Sequence, residues 1–314
     1  MAMLFDIVIP VFLLVALGWL SRKTELLKEN SAQALNQYVF YIAVPALMFL
    51  STAKVDIGAV LHWGFILAYI GGSVIAVAVA FLAWRRMTLQ APLDWTVVAL
   101  NAAWPNTVYM GVPIFYFMFG EQGTLPVVIS TLASNLLFIL VLALMSELQR
   151  SSGSIMQKLR SLLLQALLKN PVMMAPLLGM AVSVSGVSLP VALLTPLEML
   201  APSAAPVALF ALGISLYGLQ VKGAGFELGW LSLVKLVVHP LAVYLIAVWV
   251  LQLEPFWAVS AVLLAALPTG AMVFVLAQQY RTRVTLSSAT IMVTTLASIV
   301  TLALLLPYLK QWTL

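Results

Sequence analysis

The stretch WPNTVYMGVP, Trp104 to Pro113, lies inside an apolar run covering about 94–119. A proline removes one backbone donor and its ring clashes with the turn before it, so a helix running through Pro105 breaks there. Asn106 follows, and asparagine is among the better residues for starting a helix, because its side chain accepts from free N–H groups of the first turn. A break followed by a fresh helix start exposes N–H groups and a positive dipole end, which together favour an anion. The plainer reading is a kink, which membrane helices tolerate. Recurrence decides between them: AALPTGAMVFVL, Ala265 to Leu276, sets Pro268 beside Thr269 and Gly270. Pro10, Pro45, Pro176 and Pro307 have no such pairing of a break with capping residues and are read as kinks.

The recurrence extends outward. AVPALMFLSTA (Ala43 to Ala53) resembles AAPVALFALGIS (Ala204 to Ser215), and Pro45 and Pro206 are 161 residues apart. Pro105 and Pro268 are 163 apart, nearly the same offset. Two matches at nearly one offset indicate an internal duplication. The chain is 63% apolar and 8% charged over 314 residues, too little charge to cover a soluble surface. Apolar runs of about 20 residues recur along it, long enough to cross a bilayer as helices. They are expected at about 4–20, 34–53, 60–84, 94–119, 124–147, 168–185, 196–219, 229–251, 256–279 and 285–308. The first run begins at Leu4 with no Lys or Arg before it and Arg22 and Lys23 after it, the reverse of a signal peptide, so it is read as a retained helix.

The division that follows is a first five-helix repeat over 1–147, a linker over 148–167 bearing Ser151, Ser152, Gly153 and Ser154, and a second repeat over 168–314. An odd number of spans per repeat makes the two halves cross the membrane in opposite senses, the architecture of many secondary transporters. Odd-numbered links carry Arg22, Lys23, Lys28, Arg85, Arg86, Arg150, Lys158, Arg160, Lys169, Lys222, Lys235, Arg281 and Arg283, against only Lys54 and Lys310 elsewhere. The excess of positive charge on cytoplasmic links then sets both termini outside the cytoplasm of a multi-pass inner-membrane protein. The net charge of +5 is thereby explained without nucleic acid. With no cysteine, thiol chemistry is excluded.

The segments PNTVYMGVPIFYFMFG (Pro105 to Gly120) and ALPTGAMVFVLAQQY (Ala266 to Tyr280) resemble the auxin efflux carrier family. So do YIAVPALMF (Tyr41 to Phe49), KNPVMMAPLLGM (Lys169 to Met180), PVALFALGISL (Pro206 to Leu216) and KLVVHPL (Lys235 to Leu241). That family holds plant PIN-type carriers and bacterial proteins often labelled malonate or malate permeases. The resemblance implies an all-α membrane fold akin to bile-acid symporters and sodium/proton antiporters. It implies a scaffold of about 1–57 and 168–222, through which a homodimer forms, and a transport unit of about 60–147 and 229–311. It also implies that spans four and nine cross at Pro105 and Pro268, with Asn106 contacting a substrate carboxylate. The long central loop of the plant members is missing here, which makes auxin itself an unexpected substrate.

The expected substrate site comprises Asn106, Thr107, Thr269, Gly270, Asn101 and Asn135, with Pro105 and Pro268 holding the crossover open. Lys235 and His239 stand one helical turn apart on one face. They are either an anion-attracting or proton-relaying pair, or a lysine that snorkels to the membrane edge beside a histidine bonded to a carbonyl. Asn101, Ser130, Ser134 and Asn135 either line the site or bond between packed helices. Asp6, Glu147 and Glu198 lie near span ends and read as solvated. Span centres lack Asp and Glu, so proton coupling through a buried carboxylate is not supported. The coupling ion, H+ through His239 or Na+ at unwound carbonyls, stays open, as does its absence; no cofactor and no metal site are expected.

An intramembrane enzyme needs a nucleophile or metal constellation, and His62 and His239 are the only histidines. A receptor would carry a soluble output domain, and no link is long enough to hold one. A channel for anions, lined by the broken helices, is the closer alternative to a carrier of small organic anions such as malonate or malate.

Overall fold

The computed structural model describes residues 9–54, 62–83, 86–87, 92–148, 156, 160–161, 163–164, 169–218 and 225–311. Most of the midpoint linker lies outside these residues, as do Asp6, Arg85, Arg150, Lys158 and Lys222. Among the described residues the chain is helical throughout. Helix α1 covers Ile9–Lys23, α2 29–53, α3 Trp63–Leu82, α4 Pro92–Ala103, α5 107–119 and α6 Thr124–Leu148. After the midpoint come α7 (Pro171–Ser185), α8 (Val191–Leu216) and α9 (Gly225–Val250), then α10 (Pro255–Ala266), α11 (Met272–Gln279) and α12 (Val284–Lys310). Among the described residues six helical stretches are long and apolar enough to cross a membrane, and α7 and α10 are shorter apolar helices.

Local chemistry sets the ends. Asn170 caps α7 by accepting from the Val172 N–H at 3.0 Å, with Pro171 in the first turn, and Gly186 closes the helix at a left-handed φ of 64°. His62 opens α3 in the same manner, its Nδ1 accepting from the Phe65 N–H at 3.1 Å while its ring stacks on Trp257. Gly120, at φ 61°, ends α5 and lets the chain turn into α6.

Two groups of helices pack through small residues, which allow backbones to approach closely where lipid supplies no hydrophobic drive. In the first, α1 lies on α8 and α2 on α7. A Cβ on Gly18 would collide with the Phe210 carbonyl, one on Gly213 with that of Val15, and one on Gly179 with Phe49 and Thr52. In the second, α3 packs on α9 at Gly72 and Val243, alongside α4, α6, α10 and α12. Large apolar side chains such as Leu67, Val184, Leu193, Trp249, Val300 and Leu304 remain exposed on the outer faces, which suits lipid as the solvent. Charged partners gather at two ends. Glu227 pairs with Arg283 at 2.9 Å near the Asp94–Thr282 hydrogen bond and Arg86 over the Phe226 ring. Lys54 pairs with Glu198 at 3.2 Å elsewhere, both exposed as span-end residues.

Candidate functional site

The apolar run at 94–119 is interrupted at residues 104–106, between α4 and α5, and the run at 256–279 is interrupted between α10 and α11. The two breaks meet. Pro105 lies antiparallel to Thr269, the Asn106 N–H donates to the Pro268 carbonyl at 2.8 Å, and the Gly270 N–H donates to the Trp104 carbonyl at 2.9 Å. Unwound backbone at membrane depth is tolerable only when its polar groups are satisfied by protein or line a cavity. Here each break supplies donors to the other's acceptors. Gly270 is required by closeness: a Cβ there would lie 2.8 Å from Trp104 Cδ1 and 3.0 Å from the Pro105 oxygen.

Asn106 caps α5, its Oδ1 accepting from the Tyr109 N–H at 3.3 Å. Its carbonyl accepts from both Met110 (3.1 Å) and Gly111 (3.0 Å), a wide first turn. Asn106 is 2% exposed, yet its Nδ2 has no partner. Asn101, wholly buried, uses its Nδ2 on the Val97 carbonyl (2.8 Å) and Ser287 Oγ (3.1 Å), which leaves Oδ1 unpartnered. Thr269 donates its hydroxyl to the Asn101 carbonyl at 2.9 Å, and its N–H goes to Thr294 Oγ1 at 3.1 Å. Thr107 Oγ1 accepts from Thr131 at 3.1 Å. A small cavity of about 20 Å³ adjoins the break, lined by Val77, Leu100, Trp104, Ser134, Leu137 and Val141 among others.

Lys235 and His239 stand in α9 beside this arrangement, both wholly buried. Lys235 therefore does not snorkel to an edge. Its Nζ donates to the Ala265 carbonyl at 2.6 Å and lies 3.2 Å from His239 Nδ1. Ala265 belongs to the last turn of α10, where carbonyls have no partner within the helix. Ser73 uses its only hydrogen on the Tyr69 carbonyl at 2.9 Å, so its oxygen accepts from His239 Nε2–H at 3.1 Å. That fixes the tautomer and leaves Nδ1 as an acceptor for Lys235. Tyr69 in turn shares a hydrogen bond with Ser134 at 2.8 Å.

The structure thus gathers Asn106, Thr107, Thr269, Gly270, Asn101, Pro105 and Pro268 at one crossing. Asn135 bonds along its own helix, its Nδ2 donating to the Thr131 carbonyl at 2.7 Å, and Ser130 likewise bonds back to Val127. Sequence reasoning passed over Tyr69, Ser73, Thr131, Ser287 and Thr294. A signal existed for several of them: Tyr69 and Ser73 are four apart in α3, and Ser287, Thr290 and Thr294 fall on one stripe of α12.

The model of a family described as membrane transport protein matches residues 3–306 of the chain. A protein of Rhizobium meliloti (strain 1021) named "Putative malonate transporter" is 30% identical over 317 residues, covering 99% of this chain and 97% of that one. An uncharacterized transporter of Methanothermobacter thermautotrophicus is 27% identical over 301 residues, covering 95% and 96%. Auxin efflux carrier component 2 of Arabidopsis thaliana is 28% identical over 139 residues, 43% of this chain and 21% of that protein.

Proposed function

The chain belongs to the membrane transport protein family, that of the auxin efflux carriers, and from that premise we propose that it is a secondary carrier of small organic anions. Its cargo is a mono- or dicarboxylate such as malonate or malate, held where α4–α5 crosses α10–α11. The observation that carries this reading is the Nδ2 of Asn106, a buried donor without a partner at the start of α5. A membrane interior leaves such a group unpaired only at a cost. A carboxylate that accepts from Nδ2 and meets the positive end of the helix removes that cost.

The working cycle in this reading is alternating access, the group containing α3–α6 and α9–α12 rocking against α1, α2, α7 and α8. The cavity of about 20 Å³ beside the break is of the order a water needs, and in this cycle the movement of the two groups makes room for cargo. The architecture behind it is ten spans in two inverted repeats. Its support is that α1–α8 and α2–α7 are the contacts a two-fold through the crossover would interchange. The orientation, with both termini outside the cytoplasm of the inner membrane, draws on the charged ends. Arg86, Asp94, Glu227, Thr282 and Arg283, all near links assigned to the cytoplasm, come together. Lys54 and Glu198, from opposite-side links, pair with each other. The α1, α2, α7 and α8 group is the proposed dimer face.

The test is uptake of labelled malonate, malate and a monocarboxylate into proteoliposomes, with and without sodium and pH gradients. Saturable, counter-stimulated uptake of at least one is expected, lost in Asn106→Ala. Unitary currents in place of saturable flux would instead make the protein a channel, and uptake unchanged in the variant would remove the site.

A further inference from the structure

Among the described residues Lys235 alone of the Lys, Arg, Asp and Glu side chains has no solvent exposure. It is ten residues into α9, about 15 Å along the helix from Gly225 at 1.5 Å per residue. Of the described carboxylates, Glu227 pairs with Arg283, Glu198 with Lys54 and Asp94 with Thr282, while Glu25, Glu121 and Glu254 are exposed. The titratable groups that face Lys235 are His239 of its own helix and, beyond it, Tyr69 of α3; α4, also packed against it, carries Asp94 in its first turn, bonded to Thr282, and within the parts of α10 and α12 packed against it there is none. Its ammonium is bound at the negative end of α10, which otherwise would oppose an anion at the crossover.

A single buried positive charge with no resident counter-ion sets the net charge of whatever binds beside it, because uncompensated charge in a membrane interior is costly in either sign. We propose that Lys235 is the fixed counter-charge of the cargo, so that the carrier moves its substrate as a monoanion, either a monocarboxylate or a dicarboxylate that keeps one proton. The inference rests on the reading that an anion binds at the crossover. The open hydrogen-bonding atoms point the same way. Asn106 Nδ2 is an unpartnered donor and Asn101 Oδ1 an unpartnered acceptor. A dianion matches the donor and is opposed by the acceptor; a half-protonated dicarboxylate, with one carboxylate and one hydroxyl, matches both.

The experiment is initial-rate uptake by wild-type proteoliposomes, at clamped membrane potential, of malonate and of its monomethyl ester, a monoanion across the range tested. Above malonate's second ionisation its uptake should fall about tenfold per pH unit, following the hydrogen-malonate fraction, while uptake of the monoester stays level. Equal and level uptake of both overturns the monoanion inference and leaves the anion site standing. Uptake of neither overturns the anion site, and the inference with it. A second arm compares Lys235→Gln and Lys235→Arg by competition with the monoester and with its neutral amide. Lys235→Gln should lower the monoester-to-amide affinity ratio at least tenfold, and Lys235→Arg should keep it. Equal losses for both ligands would mean that Lys235 only holds the helix end.

Discussion

At the crossover the chain solves one problem twice and by different means. Two helices end in the membrane, α4 and α10, and the last carbonyls of each lack partners within the helix. The Asn101 carbonyl of α4 receives a neutral hydroxyl from Thr269, whereas the Ala265 carbonyl of α10 receives the ammonium of Lys235. The backbones are matched, with reciprocal bonds of 2.8 and 2.9 Å. The asymmetry therefore lies in side chains alone. It puts a charge on one side and, on the other, an asparagine amide nitrogen with no partner. A crossover built only for strength would have closed both sides alike; the open amide is what singles out the Asn106 side as the place for cargo.

That contrast is broken most sharply at Asn106. Asn106→Ala removes the unpartnered donor, and a hydrogen bond to a charged group is worth about 1.5–3 kcal/mol. Affinity for the transported carboxylate should fall roughly tenfold to a hundredfold, measured by counterflow or by ligand-induced thermal stabilisation in detergent. The folded yield should hold, because only the Oδ1 cap to Tyr109 is lost with it. Collapse of folding with no change in the affinity of the surviving protein would make Asn106 a structural cap like Asn170.

Gly270→Ala comes next, because it presses on the joint between the halves. The new methyl would meet Trp104 and the Pro105 carbonyl at 2.8–3.0 Å, and overpacking of this kind costs about 1–3 kcal/mol. Uptake should drop several-fold through a lower maximal rate, since the two breaks must separate slightly. A variant with wild-type uptake would show that the joint yields more easily than its backbone bonds imply. Thr269→Val is milder. It keeps the shape and the N–H bond to Thr294 but strips the Asn101 carbonyl of its donor. Polar contacts between membrane helices average about 0.6 kcal/mol, so stability should fall by roughly that amount to 1–2 kcal/mol, with affinity changed less than in Asn106→Ala. If Thr269→Val instead weakens binding more, the two sides of the crossover have been assigned the wrong way round.

The breaks at Pro105 and Pro268 were legible in the sequence because proline acts on its own turn, and the duplication gave the same break twice. Asn106 as a helix start was legible for the same local reason. Lys235 was legible only as half of a pair. Its spacing from His239 is written in the chain, but its burial and its partner Ala265 arise from α9 packing on α10, which no window of sequence contains. Asn135 and Ser130 look as suitable on paper as Asn101, and only the fold shows that they bond back within α6 while Asn101 reaches Ser287. The polar stripe of α12 was readable by its spacing. It was passed over because serine and threonine are ordinary in membrane helices, where their hydroxyls bond to the preceding turn, as Thr290 and Thr294 also do.

Ser287 gives the finest test of the comparison, with the smallest expected effect. Its hydroxyl is one of two acceptors that hold the Asn101 amide with Oδ1 left open. In Ser287→Ala the other acceptor, the Val97 carbonyl at 2.8 Å, still orients that amide. Stability should therefore fall by about 0.6 kcal/mol, read as a small shift in thermal midpoint, and carboxylate affinity should stay within about twofold. The orientation of Asn101 matters only if its Oδ1 contacts cargo. A tenfold loss for half-protonated malonate, with none for the monomethyl ester, would show that Asn101 Oδ1 meets the hydroxyl of the cargo, so that the α4–α5 side reads both the carboxylate, at Asn106, and the retained proton, at Asn101.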